Sequence, residues 1–192
     1  MALLICQMLH EHIAQQSAML GPHNYFCDWK PVPAVPSDEK VIHTEYVDNF
    51  LALSNVETTA KSAADSVRDN LNLSGLPTHT ATVSRGGSAL GWEFSETSAN
   101  VSVSRSSTWR LRMGITGLLQ RNKVSGKELS KITGHFTFRA LIRRELLSCL
   151  SAVFAFEERH WNERTVLWDS VKTELIHCRD LLPLARRDLG AP

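Results

Sequence analysis

The chain is poor in the features that mark the unusual protein classes. No apolar run approaches the roughly 18 residues that a membrane-spanning helix needs. The 192 residues include only 10 glycines and 7 prolines, which excludes a collagen-like or low-complexity chain. Cysteine occurs four times, at Cys6, Cys27, Cys149 and Cys178. With no Cys-x-x-Cys pair, neither a disulfide framework nor a cysteine zinc site is expected. Free buried thiols in a reducing compartment are the simple reading. The apolar start Met1–Cys6 is too short for a secretory signal, has no basic leader, and runs into His10-Glu11-His12. It reads as helix, and the expected compartment is cytoplasmic or nuclear. The sequons at Asn72 and Asn100 carry no weight there.

Neither charge sign dominates, since the formal net charge is +1. That balance hides a split. Residues 1–104 hold five basic and eleven acidic side chains, a net of −6. Residues 105–192 hold sixteen basic and nine acidic, a net of +7. Between 105 and 146 only Glu128 and Glu145 oppose ten basic residues. A basic lobe attracts polyanions, nucleic acid foremost, although a charged helical face can also be merely solvated. With 43% apolar residues, a chain of this length can bury a core in one domain or two.

Periodicity and breakers predict the elements. Residues 2–19 read as a helix stopped by Gly21-Pro22. Pro31, Pro33 and Pro36 make 28–37 an extended connector. Val41–Val47 is rich in β-branched and aromatic residues and reads as a strand. Asp48-Asn49 is a turn pair, and Phe50–Leu53 the return strand, so a hairpin is expected with Asp48-Asn49 at its tip. A helix capped by Ser54 or Asn55 should run to about Leu73, ended by Gly75 and Pro77. His79–Val83 and Ala89–Phe94 read as strands around an Arg85-Gly86-Gly87 turn. The expectation for 1–104 is an α+β domain built on an antiparallel sheet.

Beyond residue 104 an all-helical lobe is expected. Ser106 or Ser107 caps a helix over about 108–121. Ser125 opens the next, with Glu128 at capping-box spacing. Leu129, Ile132 and Phe136 mark one apolar face, interrupted at Gly134. Phe138, Ile142, Leu146, Cys149, Val153 and Phe156 then step by three or four, an amphipathic stripe. A last helix covers 162–181 and ends at Pro183.

Several constellations carry little. His10-Glu11-His12 lacks the i, i+4 histidines of a zinc protease, Arg85–Ser88 has no phosphate-loop lysine, and His177-Cys178 reads as ordinary helix. The Ser/Thr residues of 95–108 read as linker rather than nucleophile. No carboxylate set of ribonuclease H type is evident in 160–192. The informative stretch is Tyr46-Val47-Asp48-Asn49 between two strand-like segments. By itself Asp-Asn is turn chemistry, but a carboxylate at a rigid hairpin tip is also well placed to ligate a metal.

Tyr46–Asn49 resembles the Tyr-x-Asp-Asp box of reverse transcriptases, with Asn49 where the second Asp is usual. The neighbours follow the order of that family's palm. Ala2–Gln7 resembles the helix after the template-contacting motif, and Leu90-Gly91-Trp92-Glu93-Phe94 the primer-grip strand. Thr108–Arg112 and Ile132–Phe138 resemble thumb and connection helices. The likeness is closest to DIRS-like retrotransposon enzymes of the tyrosine-recombinase type and covers roughly 2–158.

What this resemblance implies is a partial palm over 1–104 and a helical thumb/connection lobe over 105–192. The parent activity would be RNA-directed DNA polymerisation by two-metal nucleotidyl transfer with Mg²⁺. Asp48 would be the shared metal ligand, with Tyr46 and Asn49 beside it as catalytic-site residues. Gly91 and Trp92 would hold the primer backbone. Arg105, Arg110, Arg112, Lys123 and Lys127 would lie near duplex phosphates. The partner would be an RNA/DNA primer-template. The family's first catalytic Asp has no counterpart here, Glu11 and Asp28 lying on no strand-like segment. The chain alone is therefore expected not to polymerise DNA, and to be the C-terminal part of such an enzyme whose N-terminal part would be a further partner. Two alternatives stand beside this. One is a non-catalytic nucleic-acid-binding module using the basic 105–146 lobe. The other is an interaction domain presenting the Phe138–Phe156 stripe.

Overall fold

The computed structural model describes residues 2–27, 29–31, 33, 41–80 and 82–189. The connector expected over 28–37 and the carboxylate Asp28 lie largely outside them. The chain folds into two compact units, Met1–Ser84 and Arg85–Pro192. The boundary expected at 104/105 thus falls inside the second unit.

In the first unit, helix α1 (Ala2–Ala14) precedes the antiparallel hairpin of β1 (Ile42–Tyr46) and β2 (Asn49–Leu53), and helix α2 (Glu57–Leu73) follows. The first helix stops five residues short of expectation. Ser17 is buried there against Ser66, hydroxyl to hydroxyl at 2.9 Å, and Leu20 turns into the core. The second helix buries Ala60, Ala63, Val67 and Leu71, one face at helical spacing. No side chain caps its N-terminus, where Val56 rather than Ser54 or Asn55 is the cap residue. Its C-terminus closes as expected at Gly75, whose φ of 79° only glycine adopts freely, with Leu76 N–H returning to the Leu71 carbonyl at 2.9 Å. The core joins Ile13, Ala14, Leu20, Val41, Ala63, Val67 and Leu71, with Phe50 and Ala52 packed against it.

The second unit carries its own sheet, β3 (Gly87–Ala89), β4 (Trp92–Phe94), β5 (Asn100–Val103) and β6 (Arg186–Asp188), antiparallel in that order. Two expectations change here. His79, Thr80, Thr82 and Val83 form no strand, so 1–104 does not build one sheet. And 105–192 is not all-helical, because its last segment pairs with β5. No periodic signal marks Arg186–Asp188, three exposed charged residues on a sheet edge.

Its helices are α3 (Arg105–Leu119), α4 (Gly126–Ala140), α5 (Ser151–Arg159) and α6 (Asp169–Leu181). Ser104, not Ser106 or Ser107, caps α3, its Oγ accepting from Ser107 N–H at 3.2 Å. The Ser125–Glu128 capping box forms as expected. The Phe138–Phe156 stripe is not one continuous helix, although Leu146, Val153 and Phe156 are buried in the core with Ile142 and Cys149 packed against it. The backbone leaves helical geometry at Arg143, a 3-10 segment spans Arg144–Cys149, and α5 starts afresh. Glu174 fixes that new start, accepting from Ala152 N–H and Val153 N–H, both at 2.9 Å. Residues 162–168 are not helical, because Val124 and Thr165 exchange backbone hydrogen bonds at 2.9 and 3.1 Å. The core gathers Leu111, Ile115, Leu118, Leu129, Phe136, Val153, Phe156, Val171 and Leu175. Cys149 and Cys178, 29 residues apart, bring their sulfurs to 3.7 Å. Among the described residues no helix is long and apolar enough to cross a membrane.

Candidate functional site

The hairpin register pairs Tyr46 with Asn49, so its two-residue loop is Val47-Asp48 rather than Asp48-Asn49. Asn49 is the first residue of β2. The loop puts Val47 at φ 58°, a conformation common for glycine and costly for a β-branched side chain. Such strain persists only where the surroundings over-determine it, at about 1–3 kcal/mol per residue.

Here α1 supplies the determination. Gln7 Oε1 accepts the Val47 N–H, and Gln7 Nε2 donates to the Glu45 carbonyl at 2.8 Å. His10 Nδ1 lies 3.2 Å from the Val47 carbonyl and donates to it in the tautomer that carries its proton there. One helix thus holds the incoming side of the turn, at Glu45 and Val47. Tyr46, Asp48 and Asn49 stand exposed at the tip, with Asn49 Nδ2 donating to Asp48 Oδ1 at 3.0 Å.

Behind the tip lies a buried polar layer. His43 Nδ1 and Glu45 Oε1 meet at 2.9 Å with both residues nearly excluded from solvent. Tyr25 stacks on the His43 ring at 5.3 Å between centroids. Burial, then the hydrogen bond to Glu11, pushes the Tyr25 hydroxyl far above its ordinary range. The sequence assigns no role to Gln7, His43 or Glu45, and it considers His10 only within a zinc pattern that it sets aside. The signal that could have found the pair is the period of two, which puts His43 and Glu45 on one strand face.

A divalent ion finds little at this tip. Asp48 is a lone carboxylate beside an amide, and Glu45, the hairpin's other acid, is buried and committed to His43. Among the described residues no group of three or more His, Cys, Asp or Glu could hold a metal. Mg²⁺ is usually held by one or two carboxylates together with substrate phosphates. The donors here supply the smaller share of such a site.

In the second unit Leu90-Gly91 is itself a two-residue loop, with φ of 50° and 83°, joining β3 to β4. The stretch Ala89–Phe94 is therefore a hairpin and not one strand. Trp92 stacks on Phe138 at 4.8 Å and 27°. Any Cβ on Gly91 would sit 3.2 Å from the same ring. Both residues thus fasten the sheet to α4.

Arg105, Arg110 and Arg112 are exposed on α3, and Lys123 and Lys127 are exposed at and after the α3–α4 connection. Arg105 and Arg112 are seven residues apart and share a helix face. Nearby, Glu128 receives Arg121 at 3.3 Å and Arg164 through two contacts. The Ser125 amide and Arg164 hold its carboxyl below the usual range. Arg139 and His135, given no site role by the sequence, line a cleft with Arg110.

The structure therefore groups Tyr46, Asp48 and Asn49 in one unit, and Gly91, Trp92 and the five basic residues in the other. Compared with protein-family models, with curated proteins and with solved structures, the chain matches none.

Proposed function

We propose that this chain is a reverse-transcriptase-type segment that binds a primer-template nucleic acid. The first unit would contribute a palm-like hairpin to that task, and the second unit thumb-like basic helices. The observation that carries the reading is the Tyr46–Asn49 hairpin. Its turn is strained at Val47 and clamped by Gln7 and His10, which is how a fold holds a functional side chain rigidly. Asp48 would face the primer end, Tyr46 and Asn49 would flank it, and any Mg²⁺ would arrive with the nucleic-acid phosphates. With one exposed carboxylate at the tip, the chain would bind without completing nucleotidyl transfer. The N-terminal part of a polymerase would supply the remaining acid.

A second reading is favoured by the same lone carboxylate together with the exposed bases of α3 and α4. In it, the second unit binds nucleic acid through phosphates alone, with no role for the hairpin. A salt-titrated binding assay with a primer-template duplex, with and without Mg²⁺, separates the two. Under the first reading Asp48→Ala abolishes the Mg²⁺-dependent part of binding. Under the second it changes nothing, and replacing Arg110 and Arg112 lowers the salt slope by about 0.9 per lost phosphate contact. Absence of salt-sensitive binding in the native chain would refute both.

A further inference from the structure

Among the described residues, the second unit contains a buried cation with no ion-paired carboxylate. Arg139, near the end of α4, is 5% exposed. Its Nη1 donates to the His135 carbonyl at 2.6 Å. Its Nη2 donates to the Ser107 carbonyl at 3.1 Å and to the Ser107 hydroxyl. The two bonds to Ser107 tie α4 to the first turn of α3, while the His135 bond stays within α4. A guanidinium has five N–H groups in a fixed fork, so two remain, and one of them, on Nε, is buried with no partner. Among the described residues no carboxylate ion-pairs with Arg139. Burial pushes its proton affinity down, but a guanidinium stays charged at any physiological pH.

A buried charge left unpaired is costly, and folded proteins pair it or give it a ligand. The surroundings favour a ligand. Arg139 lines a cleft of about 250 Å³ together with Ser107, Arg110, Leu111, Ile132 and His135. That set holds two guanidiniums, an imidazole and a hydroxyl, and no acid. The volume is below the roughly 300–1,000 Å³ of drug-sized pockets, which suits a small group and its waters. The lining comes from α3 through Ser107, Arg110 and Leu111 and from α4 through Ile132, His135 and Arg139.

The geometry points to an oxyanion site in this cleft, taking a phosphate group with Arg139 as its buried anchor and Arg110 at its rim. The phosphate could be free or carried at the end of a nucleic-acid strand, since both present the same tetrahedral oxygens. The site lies wholly within the second unit and stands whether or not the hairpin reading holds.

The test is titration of the full chain with inorganic phosphate, following the Arg139 Nε–H resonance by proton–nitrogen NMR. Parallel arms use one oligonucleotide with and without a 5′-phosphate. The expected result is a saturable shift of that resonance. Arg139→Lys, which keeps the charge and loses the fork, should weaken binding roughly tenfold or more. Arg110→Gln, on an exposed position that folding does not need, should weaken it several-fold. Arg187→Gln removes the same charge from exposed β6 and should leave it unchanged. If the phosphorylated strand binds tighter than free phosphate and the bare strand does not perturb the resonance, the phosphate source is a strand end; the reverse order makes it the free anion. No saturable shift with any phosphate probe would overturn the site. So would binding that Arg110→Gln and Arg187→Gln weaken equally, and this criterion holds even if Arg139→Lys fails to fold.

Discussion

Glycine-to-alanine substitution should have opposite signs in two helices of the second unit. Gly126 opens α4, and a Cβ there would lie 2.8 Å from the Cα and 3.0 Å from the carbonyl carbon of Glu157, and closer still to its oxygen. These are backbone atoms of α5 that no rotamer change can move. Gly126 N–H is also tied to the His160 carbonyl at 2.8 Å, so α4 cannot slide away without losing that bond. Overpacking of this kind costs typically about 1–3 kcal/mol. Gly117, inside α3, is exposed and has nothing within 4 Å of its added Cβ. There alanine should stabilise by about 0.5–1 kcal/mol, because glycine loses more backbone freedom on folding. Helix propensity alone favours alanine at both sites, so the sign at Gly126 isolates the packing. Urea denaturation of the full chain, monitored by tryptophan fluorescence, measures both variants. A neutral or stabilising Gly126→Ala would refute the close approach of α4 to α5.

Three further outcomes follow from the same contacts. Gln7→Leu removes two hydrogen bonds from the hairpin and should destabilise the first unit by about 1–3 kcal/mol, with faster hydrogen exchange at the Val47 amide; unchanged exchange would mean the turn needs no clamp. Burial raises the Glu157 carboxyl above its ordinary range, against a smaller lowering by Thr133, which donates to it at 2.6 Å. The folded state thus holds that proton more tightly than the unfolded one, so stability falls as pH rises from the unfolded value through the folded one. Glu157→Gln should therefore gain on the native chain as pH rises through that window and match it well below; a pH-independent difference in denaturation midpoints would contradict this. Alkylation should reach exposed Cys6 first and Cys178 last, since burial and the neighbouring Cys149 push the Cys178 thiol far above its ordinary range; equal rates by mass spectrometry would count against the packing of α6.

Local signals were legible where they depend on a few adjacent residues. The hairpin over 41–53, the α2 stop at Gly75 and the Ser125–Glu128 capping box all read directly from residue type and spacing. The loop shifted by one residue because Val47 takes a conformation its side chain disfavours, and the force holding it comes from Gln7, some forty positions away. The Phe138–Phe156 stripe marked residues that do pack into the core, but not the break in the helix that carries them. The stripe's period continues across the break at Arg143, and the restart beyond it is held by Glu174 from another helix. The partnership of β5 with Arg186–Asp188 and the meeting of Cys149 with Cys178 are likewise long-range, and no local pattern encodes them. Of the candidate site, the exposed tip residues were visible in the sequence. The clamp beneath them and the buried Arg139 were not, because a glutamine, a histidine and an arginine on helices look like surface residues until the packing is known.

Under the proposed function the hairpin tip meets the end of a primer. Photocrosslinking from a thionucleotide at the primer 3′ terminus, followed by peptide mapping, tests it most directly. Adducts are expected within Tyr46–Asn49 and should disappear when excess unlabelled primer-template competes. Adducts confined to 105–146, with none on the hairpin, would contradict it and leave the basic helices as the nucleic-acid contact.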